Sequence, residues 1–111
     1  MSDTTLVVLV TAPTIEEAAQ LGRALVEERL AACANLVPGL RSIYRWQGAI
    51  QDDAEVLLLI KTSATHLDQL TQRIVELHSY ETPEVLALPV VGGSSAYLQW
   101  LAMQVGPEDQ P

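Results

Sequence analysis

The chain has 111 residues, 49% of them hydrophobic, and its 14 acidic and 6 basic residues give a net charge of −8. The length fits one domain over residues 1–111, with an ordered core at about 5–104 and a frayed C-terminal tail. An acidic surface repels phosphate backbones and anionic headgroups, so the charge argues against nucleic acid or a membrane as a partner.

Signals for a compartment are few. The single cysteine, Cys33, cannot form an intramolecular disulfide, so an oxidising compartment is not indicated. The N-terminal MSDTT lacks the basic region of a signal peptide, and the apolar run at residues 6–10 is too short to cross a membrane. We therefore expect a cytoplasmic location.

A buried strand and an amphipathic helix open the chain. The run TLVVLVT at residues 5–11 is aliphatic and β-branched, as a buried strand should be. Thr14 and Glu17 have the spacing of a capping box, in which each side chain accepts the other's backbone amide. The helix is expected to bury an apolar set at spacings of three and four, while Glu27, Glu28 and Arg29 face water. That apolar set is Ile15, Ala18, Ala19, Leu25, Val26 and Leu30.

A long hairpin follows, and it is too long for its own domain. Residues 34–46 and 55–62 are rich in β-formers, with Pro38-Gly39 predicting a bulge and Gln47-Gly48 a turn. Residues 51–53 are a polar shoulder between the turn and the second strand. At about 3.3 Å per residue the first run reaches about 40 Å, against a domain diameter of roughly 30–35 Å. The overhanging hairpin needs a second chain to cover it.

The last third of the chain predicts a helix, a strand and a short helix. Residues 65–79 carry an apolar stripe with Thr65 and Asp68 as cap, residues 85–91 read as a strand, and Ser94 or Ser95 caps a helix at 96–103. The stripe is Leu67, Leu70, Ile74 and Leu77. The order β-α-β-β-α-β predicts an α+β, ferredoxin-like antiparallel sheet with an additional C-terminal helix and a long β2-β3 hairpin.

Seven motifs in one order resemble the CutA family of divalent-cation tolerance proteins. They are TAP at 11–13, ERLAACAN at 28–35, IYRWQG at 43–48, EVLLLIKT at 55–62, HSYETPE at 78–84, LPV at 88–90 and YLQWL at 97–101. The resemblance implies a ferredoxin-like homotrimer with intertwined hairpins, related in architecture to the PII nitrogen-regulatory proteins. It also implies a role in tolerance of copper and other divalent metals, and no enzymatic activity.

The chain departs from the family pattern at three positions. Ser79 stands where the family usually has a proline after the motif histidine, Val10 where some members have a cysteine, and Leu77 where some have a second histidine. A metal site that used those extra ligands would be incomplete here.

Cys33, His78 and Glu81 are the candidate metal ligands. A thiolate and an imidazole suit copper or zinc, and a nearby carboxylate can add to either. Each also has a structural interpretation, because Cys33 lies among alanines and His78 ends a helix that it could cap. A divalent cation, copper above all, is therefore a possible bound ion, although no cofactor is required.

A second set of residues is assigned to an inter-subunit cleft or interface, because tyrosine and tryptophan at strand ends and loops are typical interface anchors. Ordinary core packing remains an alternative for the rings, and Glu84 can either join Glu81 around a cation or pair with Lys61 or Arg45. The set is Tyr44, Trp46, Lys61, Tyr80, Glu84 and Trp100.

These observations predict a cytoplasmic homotrimer that acts in divalent metal ion tolerance by binding or signalling. An enzyme is not expected, since the sequence holds no activated nucleophile and no glycine-rich phosphate loop. The alternative is a PII-like sensor that binds a small anionic ligand in inter-subunit clefts and regulates a partner protein of unknown identity. A third hypothesis is a stable scaffold whose link to metals is indirect.

Overall fold

A four-stranded antiparallel sheet organises residues 3–107, the part of the chain that the computed structural model describes. The strand order is β2-β3-β1-β4. The elements are β1 Thr5–Ala12, α1 Ile15–Glu27, β2 Cys33–Trp46, β3 Ala49–Ser63, α2 Leu67–Leu77, β4 Leu86–Pro89 and α3 Ser95–Gln104. The predicted ferredoxin-like order with an added C-terminal helix is confirmed. Most of the predicted frayed tail, residues 108–111, lies outside the described part of the chain.

The β2-β3 hairpin overhangs the body, as the sequence predicted. Its strands have 14 and 15 residues, and the molecule measures 49 × 25 × 22 Å. Gln47 and Gly48 form the turn with φ values of +51° and +80°, the left-handed pair that suits a two-residue hairpin. The ladder slips by one residue between Val37 and Leu40, where Gly39 has a φ of +84°. The turn and the bulge therefore lie at the two positions, Gly48 and Gly39, where the sequence predicted them.

The prediction that β3 begins at residue 55 was wrong, because the strand starts at Ala49. The polar shoulder is part of the ladder, and its carboxylates have cross-strand partners. Arg41 donates to both oxygens of Asp52, at 2.8 and 2.7 Å, and Tyr44 donates to Asp53 at 2.7 Å. Polar residues that resemble a loop in sequence are here the paired side chains of an exposed hairpin.

The predicted buried face of α1 was partly wrong. Ala18 and Leu25 are buried as expected, but Ile15 and Val26 are 40% and 38% exposed. Leu21 and Gly22 complete the buried stripe instead. Gly22 approaches β2 so closely that an added Cβ would lie 3.0 Å from the Ala34 side chain.

Two further boundaries differ from expectation. α2 begins at Leu67 after a single 3-10 turn, Ala64–His66, and its N-cap residue His66 makes no side-chain cap bond. The expected Thr65 cap was wrong, because Thr65 lies within the 3-10 turn and the N-cap position of α2 belongs to His66. β4 is shorter than residues 85–91, because its ladder with β1 ends at the pair of Leu6 and Pro89, and a single further bond follows, from the Val90 amide to the Thr5 carbonyl.

The two faces of the sheet differ in what covers them. The helices α1 and α2 cover one face, whose strand residues Val8, Val10, Leu58 and Ile60 are fully buried. The opposite set is fixed by the strand register, and we call it the helix-free face because neither α1 nor α2 covers it. Its members are Val7, Leu9, Cys33, Asn35, Leu57, Leu59, Lys61, Leu86 and Leu88. None of the helices within residues 3–107 is long and apolar enough to span a bilayer.

The helix α3 lies against one end of the helix-free face. Its Leu101, together with Val105, packs on Ala32, with Cys33 beside them. The rest of that face keeps exposed apolar groups, since Leu86 and Leu88 are 56% and 49% exposed.

Candidate functional site

His78 occupies the junction of α2, β1 and the loop that follows. Its backbone amide donates the last hydrogen bond of α2, to the carbonyl of Ile74, and its side chain is fully buried. The ring Nε2 lies 2.7 Å from the carbonyl oxygen of Thr11, and the amide of Tyr80 donates to Nδ1 at 3.0 Å. Because Nδ1 accepts a hydrogen, Nε2 carries the proton and donates to Thr11. Both nitrogens are therefore engaged, and a metal ion would have to displace one of these bonds.

The predicted capping role of His78 needs correction. The ring does not bond a carbonyl of its own helix, as a C-terminal cap would. It donates instead to β1, which is 67 residues away in sequence. His78 thus fastens the 79–84 loop to the sheet.

Glu17 supports the same junction and was missed as a site residue. Thr14 accepts the Glu17 amide at 3.1 Å, which confirms half of the predicted capping box. The Glu17 carboxylate does not return to Thr14, because it accepts the amide of Ser79 at 2.9 Å. The same carboxylate oxygen lies 3.5 Å from His78 Nδ1, but Tyr80 already occupies that nitrogen. No local sequence signal marks a contact across 62 residues.

Tyr80 joins this junction to a buried carboxylate. Its ring centroid lies 4.7 Å from that of His78, and its hydroxyl donates to Glu55 Oε2 at 2.7 Å. Glu55 is only 7% exposed although it opens a motif that looked almost wholly apolar. Burial, and then the hydrogen bond and negative charge of Glu55, raise the pKa of Tyr80 well above its ordinary value.

A second tyrosine–carboxylate pair lies on the hairpin nearby. Tyr44 donates to Asp53, and this bond raises the pKa of Tyr44 as well. The charge of Asp53 also acts on Tyr80 and that of Glu55 on Tyr44, so the two pairs are neighbours. Two predicted interface tyrosines are thereby held in place by acceptors of their own chain.

Cys33 and Lys61 lie at the α3 end of the helix-free face, and Trp100 belongs to the helix that packs there. Cys33 is the cross-strand partner of Lys61, and its thiol lies 3.6 Å from Asn35 Oδ1. The Lys61 ammonium lies 3.3 Å from the hydroxyl of Tyr97, a residue that the sequence did not single out. The rings of Tyr97 and Trp100 are 5.5 Å apart, and the two residues are 42% and 44% exposed. Within residues 3–107 no carboxylate lies within 4 Å of Lys61.

The predicted metal ligands are not brought together within one chain. Across the sheet, Cys33 lies level with Lys61 and therefore with Val7 of β1. His78 bonds Thr11, which lies further along the same strand. Four residues of strand separate those levels, a distance of about 13 Å. Glu81 and Glu84 are exposed on the loop after His78. Among the described residues no group of three or more His, Cys, Asp or Glu side chains could hold a metal ion.

Comparison with known proteins gives one consistent result. A family model described as CutA1 divalent ion tolerance protein matches residues 6–104. The divalent-cation tolerance protein CutA of Thermus thermophilus is 52% identical, over 90% of this chain and 97% of its own length. Protein CutA of Homo sapiens is 49% identical over 83% of this chain, which spans 51% of that longer relative.

Solved structures agree with the sequence comparison. The structure of the divalent cation tolerance protein from Thermus thermophilus superposes with a TM-score of 0.90 at 51% identity, covering 92% of this chain and 99% of its own. CutA from Xylella fastidiosa gives a TM-score of 0.89 at 42% identity, covering 95% and 100%. The similarity therefore extends over the hairpin, the helices and the sheet alike.

Proposed function

The chain belongs to the CutA1 divalent ion tolerance family, and from that premise we propose that it acts in divalent metal ion tolerance as a cytoplasmic homotrimer. It binds ions such as copper, or signals their presence, without catalysing a reaction. The family match supports the metal role. The helix-free face and the overhanging hairpin support the assembly.

The observation that carries the assembly is the exposure of large apolar groups along one side of the molecule. Leu86, Leu88 and Trp46 are 56%, 49% and 50% exposed. Exposed apolar side chains of this size favour a protein interface, because water is released when a second copy covers them. A trimer has a mass of three times 12.1 kDa, which light scattering measures directly.

We place ion binding at the contact between copies. The buried ring of His78 holds the loop that carries the exposed Glu81, so His78 positions this carboxylate rather than offering a free nitrogen. Cys33 of a neighbouring copy would supply the soft sulfur ligand that completes the site with Glu81. Few ligands per chain predict low affinity, and affinity should fall at acidic pH because ligands must lose their protons to bind.

Copper titration by calorimetry under reducing conditions tests this arrangement. Cys33→Ser and Glu81→Gln each remove one proposed donor and should weaken binding, while Glu27→Gln removes an exposed carboxylate of α1 and serves as the control. Equal affinity in all four proteins would overturn the assignment of Cys33 and Glu81. Absence of any binding in the wild type would overturn direct metal binding itself.

A second candidate function is the PII-like sensing of a small organic anion. Lys61 supports it, because the residue is partly buried, its ammonium has no carboxylate partner within residues 3–107, and it lies beside Tyr97, whose ring neighbours that of Trp100. A ligand of the native state raises the apparent melting temperature. Thermal-shift screening against nucleotides and organic acids should give a shift in the wild type that is lost in Lys61→Gln. The absence of any shift would remove this candidate.

A further inference from the structure

We propose that α3 is a cover that can open over the Cys33–Lys61 end of the helix-free face, and that the side chain of Arg29 holds it closed. The proposal concerns access to one end of that face. It does not depend on which ion or ligand the protein binds.

Arg29 stands at a backbone position that usually belongs to glycine. The amide of Leu30 donates to the carbonyl of Leu25, and Arg29 itself has a φ of +59°, so it is the left-handed residue that ends α1. A side chain there brings its Cβ close to the following carbonyl, which is unfavourable for any residue other than glycine. An arginine at this position therefore has to be explained by what its side chain does.

The Arg29 guanidinium grips the C-terminal end of α3. Its Nε donates to the carbonyl of Gly106 at 2.6 Å and its Nη2 to the carbonyl of Met103 at 2.8 Å. The amide of Gly106 donates back to the Arg29 carbonyl at 3.0 Å. The last carbonyls of a helix lack partners within the helix and carry its negative end, so a cation there satisfies both needs.

Few other contacts hold α3 to the body. Leu101 and Val105 pack on Ala32 in a small apolar cluster that is separate from the main core beneath α1 and α2. Among the described residues, the remaining polar link is the long bond between Lys61 and Tyr97 at 3.3 Å. A segment with a small apolar contact and few tertiary hydrogen bonds opens at a lower free energy than the core. The Arg29 contacts therefore form the strongest polar attachment of α3.

Opening of this cover would change what the helix-free face offers to a partner. It would uncover Ala32 and the Cys33 thiol, and it would free Lys61 from Tyr97. The helix also carries Trp100 and Met103, which are 44% and 50% exposed while α3 is in place, so apolar surface of α3 is available even in this position. The Arg29 side chain thus sets how much of the Cys33–Lys61 end is available.

Hydrogen exchange with mass spectrometry on the full chain tests this role of Arg29. Arg29→Gly removes the guanidinium and relieves the left-handed backbone, so α1 should keep its end while α3 loses its attachment. We expect amide exchange in residues 95–104 to accelerate about tenfold or more, the loss expected for charged hydrogen bonds. Exchange in α1 and α2 should stay unchanged, and Cys33 should react faster with a disulfide reagent.

Two further variants make the test decisive. Arg73→Gln removes an arginine that bonds Glu28 rather than α3, and it should leave exchange in α3 unaltered. Arg29→Lys keeps the charge but cannot reach both carbonyls as a planar fork, so it should lie between the wild type and Arg29→Gly. Unchanged exchange in α3 in Arg29→Gly would overturn the proposal. Acceleration shared equally by α1 would overturn it too, since Arg29 would then support the whole domain.

Discussion

The two faces of the sheet are built from the same alternating strands, yet only one of them is completed by the chain itself. On the helix-covered face, Leu58 and Ile60 have no exposed surface. On the helix-free face, Leu86 and Leu88 remain about half exposed. The polar groups of the hairpin and of this face are held by the two tyrosine–carboxylate hydrogen bonds and by the contact of Lys61 with Tyr97 of α3. The contrast separates residues that complete the core of one chain from apolar residues that the chain leaves exposed.

The largest effect is expected in the helix-covered core. Ile74→Ala removes a fully buried side chain and should lower the free energy of unfolding by about 2–5 kcal/mol. Val75→Ala, one residue along α2 and 47% exposed, is the matched control and should change it by less than about 0.5 kcal/mol. Chemical denaturation measures both. Similar losses in the two variants would show that burial in this core does not determine stability.

Next in size is the overhanging hairpin. Trp46→Ala should weaken self-assembly by about 2–4 kcal/mol, and Tyr44→Ala should act in the same direction, because large rings at an interface centre lose most when truncated. Light scattering over a dilution series should show dissociation at higher concentration than for the wild type. Val26→Ala, on the helix side, is the control. If all three proteins dissociate alike, the hairpin rings do not anchor the assembly.

A smaller effect is expected at the start of α1. Thr14 accepts the amide of Glu17, so Thr14→Ala should cost about 1 kcal/mol of stability, the usual loss for an N-cap. Thr14→Ser keeps the hydroxyl acceptor and should lie close to the wild type. Thermal unfolding compares the three. An alanine variant as stable as the serine variant would contradict the capping role.

The smallest effect is confined to alkaline pH. The folded pKa of Tyr80 lies above its unfolded value, so the neutral phenol contributes stability in full below about pH 10, and that contribution is lost as pH rises further. Tyr80→Phe cannot ionise and should show a shallower loss of stability as pH rises above about 10. Denaturation at several pH values measures the slope. Parallel slopes in the two proteins would refute the coupling of Tyr80 to Glu55.

Turn, bulge and cap residues were predicted correctly, because each of these features depends on residues close together in the sequence. Gly39 and Gly48 adopt positive φ where a bulge and a turn were expected, and Thr14 caps α1. The sequence could not predict contacts between distant residues, such as Ser79 with Glu17 or Arg29 with Gly106, because no periodicity connects them. The polar residues 51–53 were wrongly predicted as a shoulder, since cross-strand partners become visible only once the register is known.

The bulge between Val37 and Leu40 allows the strand register of the overhanging part of the hairpin to change without changing the register of the strands in the body. Side chains in a strand alternate between faces, so inserting or deleting one residue at the Gln47-Gly48 tip would exchange Tyr44 and Trp46 for Ile43 and Arg45 on a given side. An irregularity that already accommodates one extra residue can absorb such a slip before it reaches the core strands. A change in length at the tip can therefore alter which side chains the hairpin exposes on each side, while the sheet beneath keeps its alignment.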